Sequence, residues 1–200
     1  LTGLIAAIYF SISIFLVKAY LPSSQAADYG LALQIFQVAL FLPVAINIAI
    51  QPRLANHFIR DGLEQWRLFI VRCARVLVPL SFLMSASAYF LVPPLVGLVF
   101  GEKYLSAMPI IAIFMLVFGL RFLSVCIFQS AFFSAKWLTE YMRLNFVTLI
   151  VNITGNVFAI PVFGLIGAAY VFLISEAVLL LISFIALHKN IVKSKSIGVD

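Results

Sequence analysis

The sequence predicts an all-α membrane protein of six transmembrane helices, and three observations carry that expectation. Apolar side chains make up 64% of the 200 residues and charged ones only 10%, with a mean hydropathy of +1.18. A soluble chain is about 45–50% apolar and about 25% charged, so this composition excludes a soluble domain, a disordered chain, a nucleic-acid binder and a disulfide scaffold. The apolar residues fall into six runs of roughly the 20 residues a bilayer crossing needs. Strands fit badly, because the runs are too long and do not alternate polar with apolar residues.

In order, the runs cover about 1–21, 30–52, 76–99, 109–133, 142–160 and 165–187. The first stops at Leu21-Pro22-Ser23-Ser24 and opens on Leu1, with no methionine and no basic leader. It therefore resembles neither a signal peptide nor a natural start, and the chain is expected to be a fragment of a longer protein. The second contains Pro43, a break in the backbone ladder. The connection over 53–75, with His57, Trp66 and five arginines, suits a short helix in the headgroup layer, with Leu63, Trp66 and Phe69 in lipid. The third run holds Pro79 and Pro93-Pro94 and ends at Phe100-Gly101-Glu102-Lys103. Pro161-Val162-Phe163-Gly164 joins the fifth and sixth runs so tightly that they must be antiparallel neighbours. A basic tail, 188–200, follows, and Cys73 and Cys126 are small core residues with no disulfide expected.

Orientation follows from the placement of the positive charges. Arg53, Arg60, Arg67, Arg72, Arg75, Lys136, Arg143, Lys189, Lys193 and Lys195 share one side, ten of the 13 basic residues. The other side has Lys103, with Lys18 close by, and Arg121 belongs to neither. The crowded side is expected to be cytoplasmic, with both ends of the chain on it. Contact with anionic membrane lipids then accounts for most of the net charge of +6.

Polar residues inside apolar runs cost free energy unless partnered, so they mark candidate sites. Asn145, Thr148, Asn152 and Asn156 share an arc of about 80° on the fifth run. Gln34, Gln37, Asn47 and Gln51 share a wider arc, about 140°, on the second, and Thr2, Tyr9, Ser13 and Tyr20 lie almost in line on the first. These stripes either glue helices together or line a hydrated cavity for a polyhydroxylated solute. Arg121 and Glu176 both sit about 16–18 Å along their helices, near the midplane. They either bridge the fourth and sixth runs, or Arg121 attracts an anionic head group while Glu176 carries a proton. No phosphate loop, paired-cysteine or His-Glu metal motif or nucleophile elbow is present, and the two histidines, His57 and His188, lie far apart. No catalytic residue, metal or cofactor is expected, and the chain is not expected to be an enzyme.

Two stretches resemble a known family. Phe100-Gly101-Glu102-Lys103-Tyr104-Leu105-Ser106-Ala107 matches an FG..Y..A pattern, and Asn152-Ile153-Thr154-Gly155-Asn156 leads into Ile160-Pro161-Val162-Phe163-Gly164-Leu165-Ile166-Gly167-Ala168-Ala169. With Gln51-Pro52-Arg53-Leu54-Ala55, they resemble the polysaccharide biosynthesis C-terminal region of oligosaccharide flippases, in the multidrug/oligosaccharidyl-lipid/polysaccharide exporter superfamily. The resemblance implies the second lobe of a two-lobe, six-plus-six-helix exporter in the bacterial inner membrane, with its N-terminal lobe missing. It implies O-antigen-type flipping of undecaprenyl-pyrophosphate-linked oligosaccharide by alternating access, with sugar and pyrophosphate in a central cationic cavity. Candidate cavity residues are Arg121, Glu176, Asn145, Asn152, Asn156, Gln34, Gln37 and Tyr9. Two alternatives stay open: a drug or metabolite antiporter of the same superfamily, and a membrane scaffold that transports nothing.

Overall fold

The computed structural model describes the backbone of residues 2–196 and the side chains of 9–101 and 104–194. The side chains of Thr2, Lys103 and Lys195 lie outside those described. All the described secondary structure is helical: α1 (Thr2–Tyr20), α2 (Ser23–Ala39), α3 (Phe41–Asn56), α4 (Gly62–Phe100), α5 (Met108–Leu123), α6 (Ser130–Ser134) and α7 (Leu138–Ser196). Two π-helical segments, His57–Asp61 and Ser124–Gln129, and a 3-10 segment, Glu102–Ala107, join some of them. Three stretches, Ser23–Phe100, Tyr104–Ser134 and Leu138–Ser194, are long and apolar enough to cross a membrane, and Tyr9–Tyr20 is a shorter apolar helix. This is a membrane protein.

Local chemistry sets the breaks. Pro22 (φ −58°, ψ 153°) ends α1, and its carbonyl accepts the Ala26 N–H, so α2 starts at once. That is seven residues before the second apolar run. The helix breaks again at Leu40, whose N–H is shared between the Phe36 and Gln37 carbonyls (3.1 and 3.2 Å). Pro43, three residues on, has no N–H to bond the Ala39 carbonyl, so α2 and α3 cannot run as one ladder. Pro79, Pro93 and Pro94 sit inside α4 without ending it.

Residues 53–75 do not form a separate short helix. They divide into the end of α3, the π-helical turn, and the first turns of α4, a continuous helix of 39 residues. Gly62 makes the reversal with φ +80°, a region that favours glycine. Leu63 and Trp66 then face protein rather than lipid. Trp66 is fully buried, its indole N–H donates to Ser134 Oγ at 2.9 Å, and its ring meets Phe58 and Trp137 edge-on. Continuity with α4 brings this apolar face against the α6–α7 turn, where it finds both packing and a hydrogen-bond acceptor.

Helix α5 is the centre of the bundle, with Ile110, Ile111, Phe114, Met115, Val117 and Phe122 all buried, whereas much of α4 is exposed. The α4–α5 hairpin turns at Gly101 (φ +76°). Its helices close up where Gly119 meets Ser85, since a Cβ at 119 would stand 2.8 Å from the Ser85 Cβ. Small residues allow such an approach between membrane helices, and Ser85 uses it to donate to the Met115 carbonyl at 2.7 Å. Helix α7 folds back at Gly164 (φ 60°, ψ −143°), so its arms, 138–163 and 165–196, lie antiparallel with Gly155 against Val171 and Glu140 bonded to Asn190. The basic tail is helical as far as Ser196.

The α2–α3 pair runs parallel to α5–α6. Ser106 donates to Asp28 at one end, and Asn47 donates to the Val125 carbonyl (2.9 Å) and to Ser130 Oγ (2.7 Å) further along. Between them, Phe10, Phe36, Phe114 and Phe172 interlock across four helices at ring distances of 5.0–6.1 Å. Large apolar side chains of α4, such as Phe82, Phe90 and Leu98, are exposed, as on a helix suited to lipid.

Candidate functional site

Helix α5 carries Arg121 and the second arm of α7 carries Glu176, and the two meet inside the bundle. Arg121 Nη1 lies 3.3 Å from both carboxylate oxygens of Glu176. Glu176 is fully enclosed, Arg121 is 9% exposed, and the arginine Nε has no hydrogen-bond partner. Tyr9 and Tyr141 stand close enough to both charges to feel them, and Tyr9 lies beside Ser175. Each charge neutralises the other, and the pair ties α5 to α7. For Arg121 to hold a substrate anion, the pair would have to open.

The polar stripe on the first arm of α7 is bonded within the protein. Asn152 accepts from Ser13 of α1 at 2.9 Å and donates to Ser175 of the opposite arm at 3.4 Å. Asn156 donates to the carbonyl and the side-chain oxygen of Asn152 (2.9 and 3.0 Å). Asn145 and Thr148 donate to carbonyls one turn back, those of Tyr141 and Leu144. Asn152 and Asn156 are fully buried and Asn145 is partly so. A three-way seam of α1 and both arms of α7 results, with the ion pair at its side.

The eight candidate residues therefore occupy two places. Arg121, Glu176, Tyr9, Asn145, Asn152 and Asn156 belong to the interior, whereas Gln34 and Gln37 are exposed on α2. Gln34 lines an open pocket of about 550 Å³ between α1 and α2, together with Lys18, Ser23, Tyr104, Ile14 and Leu31. The expectations from sequence did not include Lys18, Ser23 or Tyr104 at a site. A signal was present, because Ser23, Ala26, Ala27 and Gly30 form a small-residue strip at helical spacing that ends at Gln34. Among the described residues no three His, Cys, Asp or Glu side chains gather as metal ligands.

No protein-family model matches the chain, and no solved structure does. A curated protein of Klebsiella pneumoniae, described as an "uncharacterized membrane protein in cps region", is 28% identical over 185 residues. The match covers 90% of this chain and 37% of that relative, so the chain spans little more than a third of the relative's length.

Proposed function

We propose that this chain is a membrane-spanning part of a transporter for lipid-linked saccharides used in capsule or O-antigen-type surface polysaccharide. The observation that carries the reading is the likeness to a membrane protein of a cps region, that is, a capsule polysaccharide locus. The open pocket between α1 and α2, with polar side chains on helices otherwise suited to lipid, adds to it. In this reading the chain crosses the inner membrane six times: α1, α2–α3, α4, α5–α6 and the two arms of α7. The arginine-rich end faces the cytoplasm and the Gly101 and Gly164 turns face outward. The cargo is undecaprenyl-pyrophosphate-linked oligosaccharide, moved by alternating access against the remainder of a longer protein.

An antiporter for cationic drugs fits less well, because Glu176, the acid beside the polar seam, is already neutralised by Arg121. A scaffold that transports nothing has one observation in its favour, the bonded seam of Ser13, Asn152 and Ser175. Deleting the gene in a strain with a surface polysaccharide separates these readings. The transport reading expects surface polysaccharide to disappear, lipid-linked precursor to accumulate, and the intact gene to restore both. Unchanged surface polysaccharide would contradict it.

A further inference from the structure

The geometry points to the α1–α2 pocket as a binding site for an acidic saccharide head group, one bearing a phosphate or a carboxylate. This rests on the transport reading for its biological meaning, but not for its chemistry. Three polar groups on the pocket wall, the Lys18 ammonium, the Ser23 hydroxyl and the Gln34 amide, have no hydrogen-bond or ion-pair partner among the described residues. Asp28, the acid on the same helix, is buried and turned away, accepting a hydrogen bond from Ser106. Among the described residues, the wall thus has one unpaired positive charge and no acidic side chain, which favours anions over cations.

The rest of the lining suits a sugar. Ser23 and Gln34 are 11 positions apart on one helix face, so their polar groups are spaced by about 16 Å along the pocket. An amide and a hydroxyl each both donate and accept, which matches sugar hydroxyls. A lysine supplies a point charge that fits phosphate and carboxylate alike, without the fixed fork of an arginine. The volume of about 550 Å³ lies within the roughly 300–1,000 Å³ of ligand pockets. The floor is lined by small residues, Ala26, Ala27 and Gly30. The plainer role for Lys18, an ammonium reaching to lipid headgroups, gives no reason for Ser23 and Gln34 to share its pocket.

The test titrates the chain in phosphatidylcholine nanodiscs with glucose 1-phosphate, glucuronate and neutral glucose, read by saturation-transfer NMR. Saturable binding of at least one acidic sugar is expected, with glucose at least about tenfold weaker, as the loss of a hydrogen bond to a charged group implies. Phosphate-only binding would assign the pocket to the lipid-proximal phosphate, and glucuronate binding to an acidic sugar residue. Lys18→Gln should weaken binding about tenfold and Lys18→Arg should largely preserve it. Ala27→Trp, at an exposed position, should block it by filling the pocket with the charge intact. Equal binding of glucose, no effect of Lys18→Gln, or no binding by the wild type would each overturn the site. If acidic sugars bind but the gene deletion leaves surface polysaccharide intact, the site stands and the transport reading falls. If deletion removes the polysaccharide but nothing binds, the site alone falls.

Discussion

Glu176→Gln should sharply reduce the amount of folded protein recovered from membranes. The substitution keeps the volume of the side chain but leaves the Arg121 guanidinium charged and unpaired in the interior, where Glu176 is fully enclosed. Breaking one side of a buried pair costs about 3–5 kcal/mol, a large share of the roughly 5–15 kcal/mol that keeps a domain folded. Replacing both partners, Arg121→Met with Glu176→Leu, removes the charges together and should restore most of the yield, because an apolar pair of similar volume is often as stable. Size-exclusion profiles of the detergent-extracted variants provide the measurement. Surface polysaccharide in the same cells adds a second reading. A pair that only pins α5 to α7 leaves export intact in the double variant, whereas a pair that opens to hold the cargo's pyrophosphate gives yield without export.

Trp66→Ala should produce the other large loss. The indole is fully buried against Phe58 and Trp137 and donates to Ser134 Oγ. Truncating a buried tryptophan costs about 3–5 kcal/mol, and thermal unfolding in detergent should show the midpoint falling accordingly. Trp66→Phe retains most of the packing and loses mainly one hydrogen bond, about 1 kcal/mol. Ser134 remains bonded to the Ala131 carbonyl in both variants, so its hydroxyl proton is not stranded. Equal effects of Ala and Phe would mean that the hydrogen bond, not the packing, ties the start of α4 to the α6–α7 turn.

Hydrophobic run length made much of the helix content legible, because lipid demands about 20 apolar residues wherever a helix crosses. Counting residues also placed Arg121 and Glu176 at equal depth, and the structure joins them. The grouping on the second run was not legible. An arc computed for one straight helix holds only while the helical phase is continuous, and the break at Leu40 resets it. Asn47 consequently points to Val125 and Ser130, while Gln34 faces the α1–α2 pocket. The π-helical segment Ser124–Gln129 contains no proline or glycine to announce it. One of its carbonyls, that of Val125, is bonded by Asn47, a partner 78 residues away. Trp66 was assigned to lipid because amphipathic spacing shows that a face is apolar without showing what covers it. Continuity with α4 decided that, and it is a tertiary property.

The leaflet occupied by the lipid-linked saccharide tests the transport claim most directly. In intact spheroplasts with the outer membrane removed, an impermeant glycosidase reaches only saccharide displayed on the outer face of the inner membrane. Cells with the gene should present saccharide that the enzyme cleaves, and cells lacking it should hold the same precursor protected until the membrane is opened. Equal cleavage in intact spheroplasts of both strains would mean that the saccharide crosses without this protein, and would contradict the account.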